Sequence, residues 1–522
     1  MVVNDLFVFL AFFVTLVFSR PDFTAHDYNP SKHLHVHKLS IRSVEKSINE
    51  EDTIDYWRAQ AQKTLRRKLI EKPNRNRAKN VILFLGDGMS IPTLKAARIY
   101  MGQLQNKSGE NSQLAFEKFP HTALSKTYCV DSQVPDSACT STAYVTGVKA
   151  NEGTLGVTAA VQLNDCEGSL KKENRPTSIA YWSQLKGKRT GFVTTTRVTH
   201  ASPAGLYSHS ANRDWESDAY ETPSECKDIA YQLINEEIGK NFNVIMGGGR
   251  REMIPEDSID EEFTNGTRKD GKNLINQWIT DKSNENAKYV WNRTSLLQLE
   301  ESPDYLLGLF EGSHCKYHLD ADEEDPSLSE MTEAAIKVLS KKRNQQGFFL
   351  FVEGGRIDHA HHDSLAKKAL DETVEFSKAI DKALEMTDEK ETLIVVTSDH
   401  AHVMTVSGYA RRGNDIFGDA GVGDDGINYS TLSYANGPGY RKPKNNTRFD
   451  HSKDDKHDKD YLFPTMVPLE FETHGGDDVA IFANGPWAHL FNGVIEQNVI
   501  PHILGYASCV GNGITVCDDK HN

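Results

Sequence analysis

Residues 347–362 read GFFLFVEGGRIDHAHH, and their pattern decides the fold. Residues 348–352 form an unbroken apolar run, the signature of a strand buried on both faces. The run stops at Glu353. Two glycines then permit a tight turn, and Asp358, His359, His361 and His362 follow. A carboxylate at the end of a buried strand, then Asp and His four apart, presents oxygen and nitrogen ligands to a divalent metal. The plain alternative is a solvated loop after a strand, and four such side chains in so short a stretch argue against it.

The same grammar recurs along the chain. Residues 80–85 (NVILFL) end in Gly86-Asp87-Gly88, and residues 190–195 lead into THASPAG. Residues 243–246 run into three glycines, and residues 392–397 into Ser398-Asp399-His400-Ala401-His402. Residues 479–482 follow Glu472-Thr473-His474-Gly475-Gly476. Helical patterns at 91–103, 226–237, 328–342 and 365–386 lie between. Buried strands alternating with helices predict an α/β fold, a central mainly parallel sheet flanked by helices on both faces. Ligands of such sheets bind beyond the carboxyl ends of the strands, where Asp87, Glu353 and Asp399 fall. Residues 408–471 differ, being rich in Gly, Asn, Asp and Lys, and read as an inserted subdomain.

The 522 residues are 38% hydrophobic and 25% charged, an ordinary globular composition. A net charge of -15 argues against a nucleic-acid-binding surface. Residues 1–19 are strongly apolar from Leu6 to Phe18, too short for a comfortable span, and read as a secretory signal peptide. Residues 20–47 read as an extended arm. Residues 50–71 have the spacing of an amphipathic helix, with Ile54, Trp57, Ala61 and Leu65 on one side. The tail 509–522 is polar and carries no lipid-anchor signal, so no membrane anchor is expected. A secreted, extracellular chain with seven cysteines is expected to form disulfides with one thiol left over. Cys509 and Cys517 could pair locally. Sequons begin at Asn106, Asn265, Asn292, Asn428 and Asn445.

The polar residues near strand ends are Asp87, Asp136, Ser137, His200, Ser202, Glu353, Asp358, His362, Asp399, His400, His402 and His474. Mixed Asp and His suit zinc, and Asp, Ser and Glu oxygens suit magnesium. Ser137 stands in VPDSACTSTAY, small residues that could open a helix, where free N–H groups and a positive dipole end favour an alkoxide and an anionic substrate. A metal can activate such a hydroxyl directly. Gly-x-Ser-x-Gly is absent, which disfavours a Ser-His-Asp hydrolase.

At these residues the chain resembles the animal alkaline phosphatases. The matching pieces are FLGDGM, VPDSACTSTAY, TTTRVTHASPAG with Asn212-Arg213-Asp214-Trp215, FVEGGRIDHAHH, TSDHAH and ETHGGDDVAIFANGP. The resemblance implies a metal-dependent hydrolysis of phosphate monoesters through a phosphoserine on Ser137. It implies two zinc ions and one magnesium. Asp358, His362 and His474 would hold one zinc, and Asp87, Asp399, His400 and Ser137 the other. Asp87, Ser202 and Glu353 would hold magnesium, with His200 beside it. Arg213 would grip two phosphate oxygens. Asp136, His359 and His402 would complete the site. A fourth, calcium-like site is implied at Phe310, Glu311 and Asp325, with Glu262 favoured as the remaining ligand. The catalytic domain would span 48–407 and 472–508, with 408–471 as the crown of a homodimer. By resemblance Cys166 pairs with Cys226 and Cys509 with Cys517. Cys129 and Cys139 would be an additional pair, leaving Cys315 odd. A diesterase or sulfatase on the same fold, or a silent secreted glycoprotein, are the competing readings. A sulfatase would need a C/S-x-P-x-R context, which Ser137 lacks.

Overall fold

A computed structural model describes residues 50–518, except 221, 300–301, 342–343 and 446. The expected signal peptide and arm lie outside the described residues. The described residues divide into two compact units, those up to residue 72 and those from residue 73 onward. In the first, helix α1 (Ile54–Ile70) starts at Thr53, whose hydroxyl accepts the Tyr56 N–H. The amphipathic pattern predicted this helix, but none of its side chains is buried.

The second unit is built on a ten-stranded sheet. Strands β1 (Asn80–Gly86), β2 (His121–Lys126), β3 (Arg189–Arg197) and β4 (Val244–Gly248) come first in the chain. Then come β5 (Ala287–Val290), β6 (Tyr305–Leu309), β7 (Phe348–Gly354) and β8 (Thr392–Thr397). The order runs Gly493–Glu496, β2, Val479–Asn484, β8, β1, β7, β3, β4, β6, β5. From β8 to β5 all pairs are parallel, and Val479–Asn484 runs antiparallel to both of its neighbours. The expected doubly covered, mainly parallel sheet is therefore present.

Alternation along the central strands divides the core. Ile82 and Phe84 of β1 face one apolar cluster, with Leu370, Phe376 and Ile380 of the helix Ala366–Met386. Val81, Leu83 and Leu85 face the other, with Tyr144 and Val145 of helix α3 (Ser137–Thr146; α2 is Ile91–Leu104). Each of Phe348–Val352 is buried, worth about 1.5–3 kcal/mol per side chain. Glu353, the first ionisable side chain after the run, is still inside β7 and is itself fully buried. Outside the main sheet, Met404–Val406, Leu432–Gly437 and Thr465–Pro468 form a three-stranded sheet in and beside the inserted stretch.

Candidate active site

Register brings the site together. Glu353 of β7 lies between Leu85 of β1 and Thr194 of β3. Thr194 therefore donates its hydroxyl to Glu353 Oε2 at 2.5 Å. Asp87 follows β1 directly, and Asp399 and His400 follow β8, which pairs with β1 on the other side. The backbone N–H of Gly88 donates to Asp399 Oδ1 at 3.0 Å. Three strand ends thus deliver Asp87, Glu353 and Asp399 to one spot, and all three are fully buried. Ser202 donates to Asp87 Oδ2 at 3.3 Å, joining the fourth element.

Around this spot the polar groups are left incomplete. Asp87 Oδ1, Glu353 Oε1, Asp399 Oδ2 and His200 Nδ1 are buried with no hydrogen-bond partner. His400 Nδ1–H points to the Ala401 carbonyl, 3.3 Å away, which turns the Nε2 lone pair inward. Around that Nε2 stand Ser137 Oγ at 3.2 Å, Asp399 Oδ2 at 3.2 Å and Asp87 Oδ1 at 3.4 Å. Burial, then Asp399, Asp358 and Glu353, push the Asp87 carboxyl well above its ordinary range. Burial also pushes Glu353 up to about 7. Burial and the neighbouring His474 hold His400 neutral. Lone pairs and carboxylates converging without donors are what a cation would stabilise, and the donor set fits zinc and magnesium.

A second convergence lies alongside. His362 Nδ1–H donates to the Glu472 carbonyl at 2.5 Å, and His474 Nδ1–H to the Pro135 carbonyl at 2.7 Å. Both Nε2 atoms then face each other at 3.0 Å, each 3.4 Å from Asp358 Oδ1. Backbone carbonyls orienting the far nitrogen of each imidazole are the usual support of a metal-binding histidine.

His402 plays a different part. Its Nε2–H donates to Asp358 at 2.7 Å and its Nδ1–H to Glu472 Oε2 at 2.5 Å. Burial opposes its charge, but Glu472 and Asp358 outweigh that and raise it to about 10. It stands between two buried acidic side chains, Asp358 and Glu472, that favour its protonated form. Glu472 was not singled out from the sequence. The only signal was its place two residues before His474. His361 does not join the site: it is held between Thr93 and Tyr434 in the core.

Ser137 is the first residue of α3, and Asp136 is its cap. The Asp136 carboxylate takes the N–H groups of Ala138 and Cys139, at 3.2 and 3.1 Å. The Ala138 and Cys139 N–H groups at this helix start are therefore already used by the cap, which leaves the Ser137 N–H and the helix dipole for an anion. Arg213 donates to Asp136 at 2.9 Å, and its other terminal nitrogen is 3.2 Å from His200 Nε2. His359 accepts from Arg356 at 2.8 Å, and its ring meets those of His314 and His200 at 4.3 and 5.4 Å. His314 is a further wall residue that sequence reading passed over.

The calcium-like set is brought together in part. Lys316 Nζ lies 3.3 Å from Glu311, 2.8 Å from Asp322 and 2.9 Å from Asp325. Glu262 is bound to Arg250 instead, and Phe310 is buried beside Glu311.

Comparison with known proteins accords with this geometry. The family model described as alkaline phosphatase matches residues 78–510. The chain is 50% identical over 482 residues to a membrane-bound alkaline phosphatase of Bombyx mori, covering 90% of this chain and 87% of that one. It is 52% identical over 478 residues to the tissue-nonspecific isozyme of Rattus norvegicus, covering 88% of this chain and 90% of that one. The chain belongs to the alkaline phosphatase family. Like its curated relatives, this alkaline phosphatase is a phosphomonoester hydrolase. The fold agrees with solved alkaline phosphatases. The enzyme of the Antarctic bacterium TAB5 superposes with a TM-score of 0.58 at 21% identity, covering 84% of this chain and 100% of that one. That of Thermus thermophilus gives 0.60 at 22%, covering 83% and 92%. Alkaline phosphatases use metal ions, and among the described residues the two convergences contain groups of His and Asp close enough to hold one. Three disulfides are formed, Cys129–Cys139, Cys166–Cys226 and Cys509–Cys517, and Cys315 is the free thiol. Among the described residues no helix is long and apolar enough to cross a membrane.

Proposed function

We propose that Ser137 is the nucleophile of a phosphomonoesterase that works through a phosphoserine at a two-zinc, one-magnesium site. The observation that carries the reading is Ser137 Oγ, at a helix start, beside His400, Asp87 and Asp399 with their inward lone pairs and unpartnered oxygens. Zinc would be held by Asp358, His362 and His474, and a second zinc by Asp87, Asp399, His400 and Ser137. Magnesium would be held by Asp87, Ser202 and Glu353, beside His200. Bound there, the ions supply Lewis acidity that acidifies the serine hydroxyl and offsets phosphate charge.

The chain's own residues do the rest. Ser137 Oγ attacks phosphorus in line, forming a P–O bond as the ester P–O bond breaks and the alcohol leaves. Water then displaces Ser137 and releases inorganic phosphate. Arg213, steadied by Asp136, spans two non-bridging oxygens with its planar fork in both steps. His402 and Glu472 hold the Asp358 carboxylate in place, and His359 lines the wall beside Arg213. Contacts to the phosphoryl group alone predict broad tolerance of the leaving alcohol. A calcium ion at Phe310, Glu311, Asp325 and Glu262 would have to displace Lys316. The three disulfides support a secreted chain, and homodimerisation through residues 408–471 is part of the same reading.

The test is acid quenching during turnover of a phosphate-labelled monoester. Label on the peptide containing Ser137, absent in Ser137→Ala, is expected. Label elsewhere, or faster diester than monoester turnover, would overturn the reading. Metal analysis with activity, before and after chelation, tests the ions: stripping should abolish turnover, and zinc with magnesium should restore it.

A further inference from the structure

We propose that the Cys129–Cys139 disulfide is a positioning element of the phosphoryl site. It closes the segment carrying Ser137 into a ring that sets Arg213 and His474 against it. The inference rests on the reading that Ser137 and Arg213 act on phosphate.

Cys139 sits in the first turn of α3 and Cys129 lies just beyond β2. Both are buried, packed with Ala150. Between them the chain has no helix or strand before Ser137, and residues 130, 131, 133 and 134 are exposed. Backbone anchoring of that stretch is sparse, with the Val130 N–H donating to the Ala150 carbonyl at 3.0 Å. Yet the stretch ends in three groups that face the reaction. The Pro135 carbonyl orients His474 at 2.7 Å. The Asp136 carboxylate orients Arg213 at 2.9 Å. Ser137 follows. The bridge itself touches this machinery: Cys139 N–H donates to Asp136 Oδ1 at 3.1 Å, and Cys129 Sγ lies 4.0 Å from the same oxygen. Without the bridge this exposed loop would still be held by β2, by α3 and by the Val130–Ala150 and Glu152–Asp131 bonds, but residues 132–135 between those ties would keep conformational freedom that the ring narrows. The freedom removed is that of Asp136 and Pro135, so the bridge acts on the phosphate grip rather than on the sheet beneath.

The test is the double substitution Cys129→Ala and Cys139→Ala in the full chain, loaded with zinc and magnesium. Competitive inhibition by inorganic phosphate, KM and kcat are measured on a phosphate monoester. The expected result is a Ki for phosphate and a KM raised about tenfold, the scale of one weakened charged contact, with kcat changed much less. The same pair of substitutions in an Arg213→Ala background should add clearly less to Ki than in the parent, because the part of the effect that runs through Asp136 and Arg213 is already lost and only the part through Pro135 and His474 remains. A folded double variant with unchanged Ki, or an equal further loss in the Arg213→Ala background, would overturn the proposal. An Arg213→Ala protein with the parent Ki would remove the underlying reading as well, which separates the two failures. Should the double variant not fold, the parent enzyme is reduced with a phosphine, alkylated and mapped. Ki should rise with the fraction of Cys129–Cys139 opened, and an opened bridge with unchanged Ki refutes the idea.

Discussion

Replacing Glu472 by Gln probes the support beneath the metal ligands. The carboxylate is buried and accepts the Val403 N–H at 2.8 Å as well as the His402 Nδ1–H. Gln can accept at only one of these positions: with its carbonyl toward the Val403 N–H, its NH2 faces His402 Nδ1, which can meet it only as a neutral acceptor, and it carries no charge. In the parent, burial disfavours the His402 cation, yet Glu472 and Asp358 hold it at about 10. Against an ordinary value near 6.5, that is roughly 3.5 pH units, on the order of 5 kcal/mol of preference for the imidazolium. The pKa is raised in the folded state. This stabilisation is therefore complete below pH 6.5 and is lost as pH rises through 10. Removing Glu472 leaves Asp358 alone against the burial cost, so His402 should fall by about two units or more and be at least half neutral at pH 8. Nuclear magnetic resonance of imidazole nitrogens in the chelated protein would read this directly. Zinc affinity, measured by chelator competition, should drop about 10- to 100-fold, as for other supporting carboxylates. A parent His402 titrating near 6.5, or unchanged zinc affinity in Glu472→Gln, would refute the reasoning.

Three further outcomes are expected. Ser137→Ala should lower kcat by at least about a thousandfold while retaining zinc by elemental analysis, since a nucleophile cannot be replaced by positioning alone; activity within tenfold of the parent would refute the nucleophile. Lys316→Ala should tighten calcium binding about tenfold by calorimetry, because the ammonium occupies the space between Glu311 and Asp325; an unchanged Kd would show that Lys316 does not compete. Burial pushes the Glu372 carboxyl up to about 7, so its contribution is complete below about 4.5 and lost as pH rises through 7. With chelator present, Glu372→Gln should match the parent in urea at pH 4.5 and exceed it by up to about 3 kcal/mol at pH 8. A difference that does not change with pH would refute that assignment.

By itself the sequence determined the central strands and the residues at their ends. Unbroken apolar runs such as residues 348–352 point to strands buried on both faces, and the ionisable groups that follow them fall at the carboxyl ends of the strands. The same logic gathered Asp87, Glu353 and Asp399 before any coordinates. Strands without such runs were not legible: β2 alternates small buried residues with exposed ones, Leu124 among them, and its place comes from pairing with Val479–Asn484. Only the tertiary structure decided the partners. Which of the four close-set residues from Asp358 to His362 turns away, that Glu472 clamps His402, that the Pro135 carbonyl orients His474, and that Asp136 meets Arg213 all depend on contacts between distant segments. Local patterning carries the information for burial, because burial is set by neighbours along one strand or helix. Hydrogen-bond partners are chosen by register and side-chain reach across the fold, which no single stretch of chain contains.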